Sequence, residues 1–327
     1  MKENKRRGNP VLLIVILILV LVFIISGLQF LESTDFHSTG ATVGYDSKII
    51  ERDGVKYYPR QDITVILVAG IDEYGPVAAS DSYNNSGESD MVSLMIFDET
   101  DKKVHMLTLN RDTMLEIPVL GIGGKPAGTV YGQLALAHTY GSGLEDSAEN
   151  LRNTVSKFLY GANIDYYLTM NMDAIGLLND AVGGVRVTVK DDFSQIDPAI
   201  TMGEVTLTGK QAITFVQTRR GLGNQLNLTR MERQREYMVS FIDALKESME
   251  ETSGFVVSTY DTVDEYMVTD CSVNALASFA ERYTSYALGD MVTIEGKNVQ
   301  GEKYMEFHVD EEKLDQVILQ YLYAPMK

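Results

Sequence analysis

The chain has 327 residues, 45% of them hydrophobic and 23% charged, which is the balance of a globular protein and not of a disordered one. A formal net charge of -18 repels nucleic acid and other polyanions, so an anionic ligand has to be met by a local basic pocket or a metal ion. Cys271 is the only cysteine, which excludes an intramolecular disulfide and a thiolate cluster, and four histidines without an i,i+4 pair argue against a zinc hydrolase.

Taken in chain order, the first feature is an uncharged run from Val11 to Ile25 that continues to Phe30, preceded by Lys2, Lys5, Arg6 and Arg7. Its length matches the ~20 residues that cross a bilayer core, and no small-x-small cleavage site follows. The expectation is a retained single-pass anchor at residues 10–31. By the positive-inside rule residues 1–9 are cytoplasmic and the bulk of the chain is extracytoplasmic. Residues 32–60 read as a polar stalk with one irregular hairpin, and residues 61–327 as the body, with a core at 61–252 and a C-terminal part at 253–327.

Within the body, Ile63–Val68 is an apolar β-branched strand. Residues 72–89, rich in Gly, Ser, Asn and Asp, read as a long loop. Met91–Phe97 and Val104–Leu109 follow as a hairpin around Asp98–Lys102, and Gly121–Gly128 as a loop. Ala148–Leu159 reads as a helix, Tyr166–Met170 as a strand, and Asp173–Ala181 as a helix capped by its Asp. Gly183-Gly184 turns into the strand Val185–Val189, and Leu207–Val216 reads as a short helix. Thr229 and Glu232 form a T-x-x-E box at the start of a long helix carrying Met238, Phe241 and Leu245 at helical spacing. A helix at 273–286, strands at Met291–Glu295 and Tyr304–His308, and a helix after Asp310 complete the body. Alternating strands and helices predict an α/β domain with a mixed central sheet.

Four clusters carry chemistry: Gly70-Ile71-Asp72 at a strand end, Ser89-Asp90 before the next strand, Arg111-Asp112-Thr113 after the third, and Arg219-Arg220 followed by Arg230, Arg233 and Gln234. Ligands of α/β sheets sit outside the strand carboxyl ends. Asp90 reaches that edge if its strand runs antiparallel to its neighbours. Carboxylates with arginines around them suit a hard divalent cation and a phosphate. Each piece also has an ordinary reading: Asp72 as a turn residue, Arg111-Asp112 as a surface pair, and Arg230 and Arg233 as solvated partners of Glu232 and Glu236. Asn227-Leu-Thr229 matches a glycosylation sequon that the capping role of Thr229 explains better, and His138 reads as structural.

The order and spacing of Gly70-Ile71-Asp72, Ser89-Asp90 and Leu109-Asn-Arg-Asp-Thr113 resemble the LytR-CpsA-Psr family. The resemblance continues through Asp180-Ala-Val-Gly-Gly-Val185, Gly209-Lys-Gln-Ala212, Arg219 and Arg230-x-x-Arg233-Gln234, and it covers about residues 60–250. It implies an α/β/α sandwich with a long apolar pocket for a polyprenyl chain, expected between the strands and the helices at 148–159 and 173–181. The implied activity is a Mg2+-assisted phosphotransferase. It moves a glycopolymer, such as teichoic acid or capsule, from a polyprenyl-pyrophosphate carrier to peptidoglycan at the membrane of a Gram-positive-type bacterium. Carried over by residue, Asp72 and Asp90 match the magnesium carboxylates, and Arg111 matches the arginine that meets the pyrophosphate. Arg219 matches the second arginine of an Arg-x-Arg pair, while Arg230, Arg233 and Gln234 match the helix-start motif. Glu88 and Gln217 stand where the family usually has arginine, and Asn227 where it has Asp; Arg220 is placed to replace Gln217. The alternative implied by those departures is a weakly catalytic protein that holds polyprenyl phosphate and regulates envelope synthesis.

Overall fold

The computed structural model describes residues 49–326 apart from 83, 122–123, 219–226, 253–254, 256–258, 260–261 and 272–285. The anchor and cytoplasmic tail expected at residues 1–31, and all of the helix expected at 273–286 except its last residue, Tyr286, lie outside these residues. Among the described residues no helix is long and apolar enough to cross a membrane.

The body is built on a six-stranded mixed sheet. Its central strands are β3 (Ile63–Ile71), β4 (Ser89–Asp98) and β5 (Lys103–Leu109). β8 (Tyr166–Asn171), β11 (Met267–Thr269) and β12 (Ala287–Thr293) extend it to the order β11-β8-β3-β4-β5-β12. β3 is buried along nearly its whole length because both faces of the sheet are covered, which is why its residues are apolar without alternation. Successive side chains still divide between the faces. Ile66 and Val68 join one core with Phe97 and Val104, whereas Val65, Leu67 and Ala69 join the other with Leu94 and Leu107.

The second core is closed by α1 (Glu145–Phe158), by a short 3-10 turn at Leu134–Ala137 and by α5 (Glu311–Tyr321). The first is closed by α2 (Met172–Ala181), α3 (Gly209–Gln217) and α4 (Asn227–Glu251), with the hairpin β9 (Val185–Val189) and β10 (Gly203–Leu207). The result is the α/β/α sandwich expected from the sequence.

Several local expectations change. The loop expected at Gly121–Gly128 lies between and partly within a hairpin, β6 (Met114–Leu120) with β7 (Pro126–Gln133); β7 is exposed along most of its length and lacks the apolar run that marks a core strand. Asp173 is not the cap of α2: Asn171 holds that position, and Asp173 instead accepts from the Gly75 N–H at 2.5 Å. α4 begins at Asn227, so Thr229 and Glu232 lie inside the helix. The reciprocal capping box is on α3, where Thr208 accepts from the Gln211 N–H and the Gln211 side chain accepts from Thr208. α5 starts where expected, with Asp310 accepting from Glu312 and Lys313.

The hairpin expected in residues 32–60 is β1 (Ile50–Arg52) with β2 (Val55–Pro59), and it is built into the body by pairing with β15 (Tyr323–Pro325). The strand expected at Met291–Glu295 overlaps the end of β12, the one expected at Tyr304–His308 is β14 (Met305–Val309), and β14 pairs with β13 (Gly296–Gln300), a strand the sequence reading did not have.

The Asp180–Val185 segment of the family motif has a packing role. Asn179 donates to Leu207 O and accepts from the Tyr237 hydroxyl, and Asp180 accepts from the Gly209 N–H at 2.6 Å. Gly184 has φ +97°, and a Cβ there would stand 2.9 Å from Leu207 O. Gly184→Ala is therefore expected to destabilise the protein by about 1–3 kcal/mol and to lower its Tm by several degrees. Thermal unfolding checks this, and an unchanged Tm contradicts it.

Candidate functional site

β3 and β5 both run antiparallel to β4, so the carboxyl ends of β3 and β5 and the start of β4 share one edge. This places Asp72, Asp90 and Arg111 together, as the antiparallel condition on Asp90 required. The register supplies a further detail: Gly70 pairs with Met91 and Ile71 with Ser89, leaving Asp90 as the extra residue of a β-bulge. A bulge re-aims a side chain, and here the Asp90 carboxylate meets two guanidiniums. Arg111 Nη1 pairs with Asp90 Oδ1, and Arg230 Nη1 donates to Asp90 Oδ2 at 3.0 Å. All three residues are at least nine-tenths buried.

Arg111 is delivered by a tight turn. Asn110 Oδ1 accepts from the Asp112 N–H, the Thr113 hydroxyl donates to Asn110 O, and Gln133 donates to the Asp112 carboxylate. The Asn-Arg-Asp-Thr order is thus an Asx-type turn whose polar groups are used internally, with the arginine projecting from it. Arg111 also pairs with Glu88, whose side chain is 40% exposed.

Asp72 is exposed, and its N–H bonds Glu88 O at 2.8 Å. Its carboxylate accepts from Gln217 Nε2 at 2.6 Å, while Gln217 Oε1 accepts from the Tyr74 hydroxyl at 2.9 Å. Gln234 donates to Val216 O at 3.2 Å. Arg233 is not brought to this cluster. It pairs with Asp191 at 2.7 Å, donates to Phe215 O and Thr218 O, and lies over the Phe193 ring, so it ties α4 to the end of α3. Arg219 and Arg220 lie outside the described residues.

From the Asp90 carboxylate an apolar cavity of about 150 Å3 runs between the sheet and helices α2 and α4. Val68, Met95, Leu168, Ile175, Tyr237 and Phe241 are among its walls, and Asp90, Ser93, Gln217 and Gln234 are polar residues on its lining. The expected pocket is present, but α1 does not line it, because α1 covers the opposite face of the sheet. The sequence reading missed Tyr74, Tyr237 and the bulge; the first two gave no signal beyond their composition.

The loop before Asp90 is pinned from below. Asn85 donates to the carbonyls of His138 and Gly141 and to Ser147 Oγ, and His138 Nδ1 donates to Gly87 O at 2.9 Å. Burial pushes the His138 pKa down to about 4, opposed by its bond to Gly87 and weakly by Asp146 and Glu73.

The chain belongs to the LytR-CpsA-Psr family. The model of the LytR_cpsA_psr family matches residues 33–321. A relative from Oceanobacillus iheyensis, a polyisoprenyl-teichoic acid–peptidoglycan teichoic acid transferase TagU, is 27% identical over 336 residues. That alignment covers 97% of this chain and 94% of the relative. Among solved structures, TagV of Bacillus subtilis superposes with a TM-score of 0.58 at 23% identity, covering 79% of this chain and 95% of TagV. A structure described as TagT bound to LI-WTA gives 0.57 at 23% identity, covering 79% and 88%. These likenesses support the fold described above.

Removing one partner of a buried ion pair leaves the other charge uncompensated. Asp90→Ala is expected to cost about 3–5 kcal/mol of stability, whereas Glu88→Ala, which loses a half-exposed partner, costs less than about 1 kcal/mol. Denaturant unfolding separates the two, and equal losses would contradict the geometry.

His138 gives a pH dependence. Its folded pKa lies below the unfolded value, so the unfolded state binds more protons between about pH 6.5 and 4. Stability is therefore full above pH 6.5 and falls by about 3 kcal/mol as pH drops through that window. The same titration of His138→Gln should be flatter there, as read by Tm against pH.

Proposed function

We propose that this protein is an extracytoplasmic, membrane-anchored phosphotransferase that moves a glycopolymer from a polyprenyl-pyrophosphate carrier to peptidoglycan. One observation carries the reading: an apolar slot ends at the buried Asp90–Arg111–Arg230 cluster. Its apolar walls suit the near part of an isoprenoid tail, and the guanidiniums suit a phosphate head, since their forks match phosphate oxygens. The transferase relative and the anchor expected at residues 10–31 support the same assignment.

Transfer forms a bond from an acceptor sugar hydroxyl to the phosphorus that carries the glycopolymer. It breaks the bond from that phosphorus to the bridging oxygen, and polyprenyl phosphate leaves. Arg111 and Arg230 neutralise charge that grows on the leaving phosphate, with Arg219 and Arg220 as further candidates from the adjoining segment. Gln234 borders the slot at its polar end, and Arg233 holds α4 in place.

Asp72 suits magnesium, because it has a carboxylate oxygen outside its bond to Gln217, whereas both Asp90 oxygens face guanidiniums and Asp90 would hold the ion only on giving up one of them. When bound there, the ion supplies Lewis-acid stabilisation of phosphate charge. Asp90 is a poor proton acceptor, since both of its oxygens face guanidiniums; the more exposed Asp72 and Glu88 are the better placed bases.

A second reading has one observation in its favour. Glu88 already neutralises Arg111, as in a protein that holds lipid phosphate without turning it over. The two are separated with the full chain, a lipid-linked oligosaccharide, peptidoglycan fragments and Mg2+. Arg111→Ala is expected to lower transfer roughly 10²-fold. Gln217→Arg should leave transfer unchanged or raise it, and Glu88→Gln should raise affinity for the donor. If wild type and Arg111→Ala are equally inert while both bind the lipid, the binding-protein reading holds.

A further inference from the structure

Methionine is 15 of the 327 residues of this chain, yet it is six of the eighteen described residues that line the apolar slot: Met91, Met95, Met106, Met170, Met172 and Met238. They stand on both sides of it. Met91, Met95, Met106 and Met170 lie on the sheet, Met172 begins α2 and Met238 is on α4. On the sheet they are neighbours. Met95 is the register partner of Met106, and Gly70 pairs with Met91 on one side and Met170 on the other. A Cβ added at Gly70 would meet only Met91 Cβ, at 3.6 Å, so there is open space between these two side chains.

An unbranched thioether with three rotatable bonds fills a gap of changing shape, whereas branched and aromatic side chains hold one shape. No polar group inside the slot competes with that freedom. Ser93 Oγ is bonded to Thr108 Oγ1 at 2.9 Å, and the Tyr237 hydroxyl donates to Asn179 at 3.2 Å. Asp90 is held by two arginines, Gln217 donates to Asp72 and Gln234 to Val216 O. Nothing along the walls therefore fixes a tail at one position. The slot is also small at rest, about 150 Å3 against the ~300–1,000 Å3 typical of ligand sites. A long tail enters only if wall atoms move, and the methionine side chains are the parts of the wall that move at least cost.

We propose that these methionines make the slot a deformable lipid site, strict about the phosphate head and tolerant of the tail, so that it takes single-chain lipid phosphates, alkyl as well as prenyl, of differing length and branching. The inference rests on the transfer reading above and deepens it by naming what the donor site selects. The head meets guanidiniums fixed by buried ion pairs, whereas the tail meets side chains that re-pack, as Met-rich surfaces of promiscuous binders do.

The test titrates the full chain in lipid nanodiscs, by calorimetry, with geranyl phosphate and with decyl phosphate, which are equal in carbon number and differ in branching and unsaturation. Wild type is expected to bind both with Kd values within about threefold, where a rigid apolar pocket separates ligands by a single methylene about tenfold or more. Nanodiscs carrying undecaprenyl phosphate should compete with both. Met91→Leu, Met95→Leu, Met170→Leu and Met238→Leu combined keep volume and apolarity but remove the flexible thioethers, and the two Kd values should then diverge to about tenfold or more. A measurement that needs no variant is the NMR spectrum of wild type labelled with 13C-methyl methionine. The slot methyl groups should shift with either ligand, while those of exposed Met202 and Met326 stay in place. The proposal is overturned by a wild type that separates the two phosphates tenfold, by a leucine variant that takes them as evenly as wild type, by slot methyl groups that do not respond, or by probes that undecaprenyl phosphate does not displace. In each of those cases lipid phosphate still binds. Binding of neither probe nor undecaprenyl phosphate removes the transfer reading itself, and this inference with it.

Discussion

The site depends on one buried ionic contact, the Asp90 carboxylate held between Arg111 and Arg230. Three separate pieces of chain converge on it: the bulged start of β4, the turn after β5 and the first turn of α4. Taking three charges out of water is costly, and the cost is offset only when every partner is in place. The contact therefore acts as a register pin. α4 cannot slide along the sheet without stranding a charge, and the wall of the apolar slot that α4 supplies is fixed with it. The slot and its charged end are one construction, not two neighbouring features.

Two of the three departures from the family pattern, Glu88 and Gln217, are each answered locally. Glu88 settles on Arg111 and Gln217 on Asp72. Neither contact is strong in physical terms. Glu88 is 40% exposed, and pairs with exposed partners contribute on the order of 0–1 kcal/mol. Under the proposed transfer, an incoming phosphate with charge-assisted bonds of its own would displace such a partner at small cost. The resting site is thus neutralised by groups that yield easily, while the arginine it shares with Asp90 stays committed.

How far the sequence was legible varies by mechanism. β3, β4, β5 and β9 were plain because burial on a sheet face writes itself as β-branched runs. The site edge was plain because strand ends carry ligands, and Asp72, Asp90 and Arg111 all fell there. The β6–β7 hairpin was hidden because β7 is largely exposed, and exposure removes the hydrophobic signal of the partner that β6 pairs with. Thr229 and Glu232 matched a capping template that Thr208 and Gln211 realise instead, since four residues cannot say where a helix begins. Arg233 shared a helix face with Arg230 yet turned to Asp191 and two carbonyls. Which arginine on a face meets ligand is decided by tertiary partners. The bulge at Asp90 leaves no trace in composition, because a one-residue shift in pairing depends on both strands at once.

The pairing of β2 with β15 has a consequence for how the molecule is made. Arg52 bonds Asp315 across 263 residues, and Tyr58 is the register partner of Ala324. A sheet whose first strands wait for the last one cannot close while the chain is still being delivered. Contacts of such long separation form late, since loop-closure entropy has to be overcome before they contribute. Until then β2 presents an unsatisfied strand edge, the kind of surface that recruits other chains. A chain still being delivered spends that interval with this edge open, so protection of β2 during synthesis depends on when the last strand arrives as well as on the stability of the finished body.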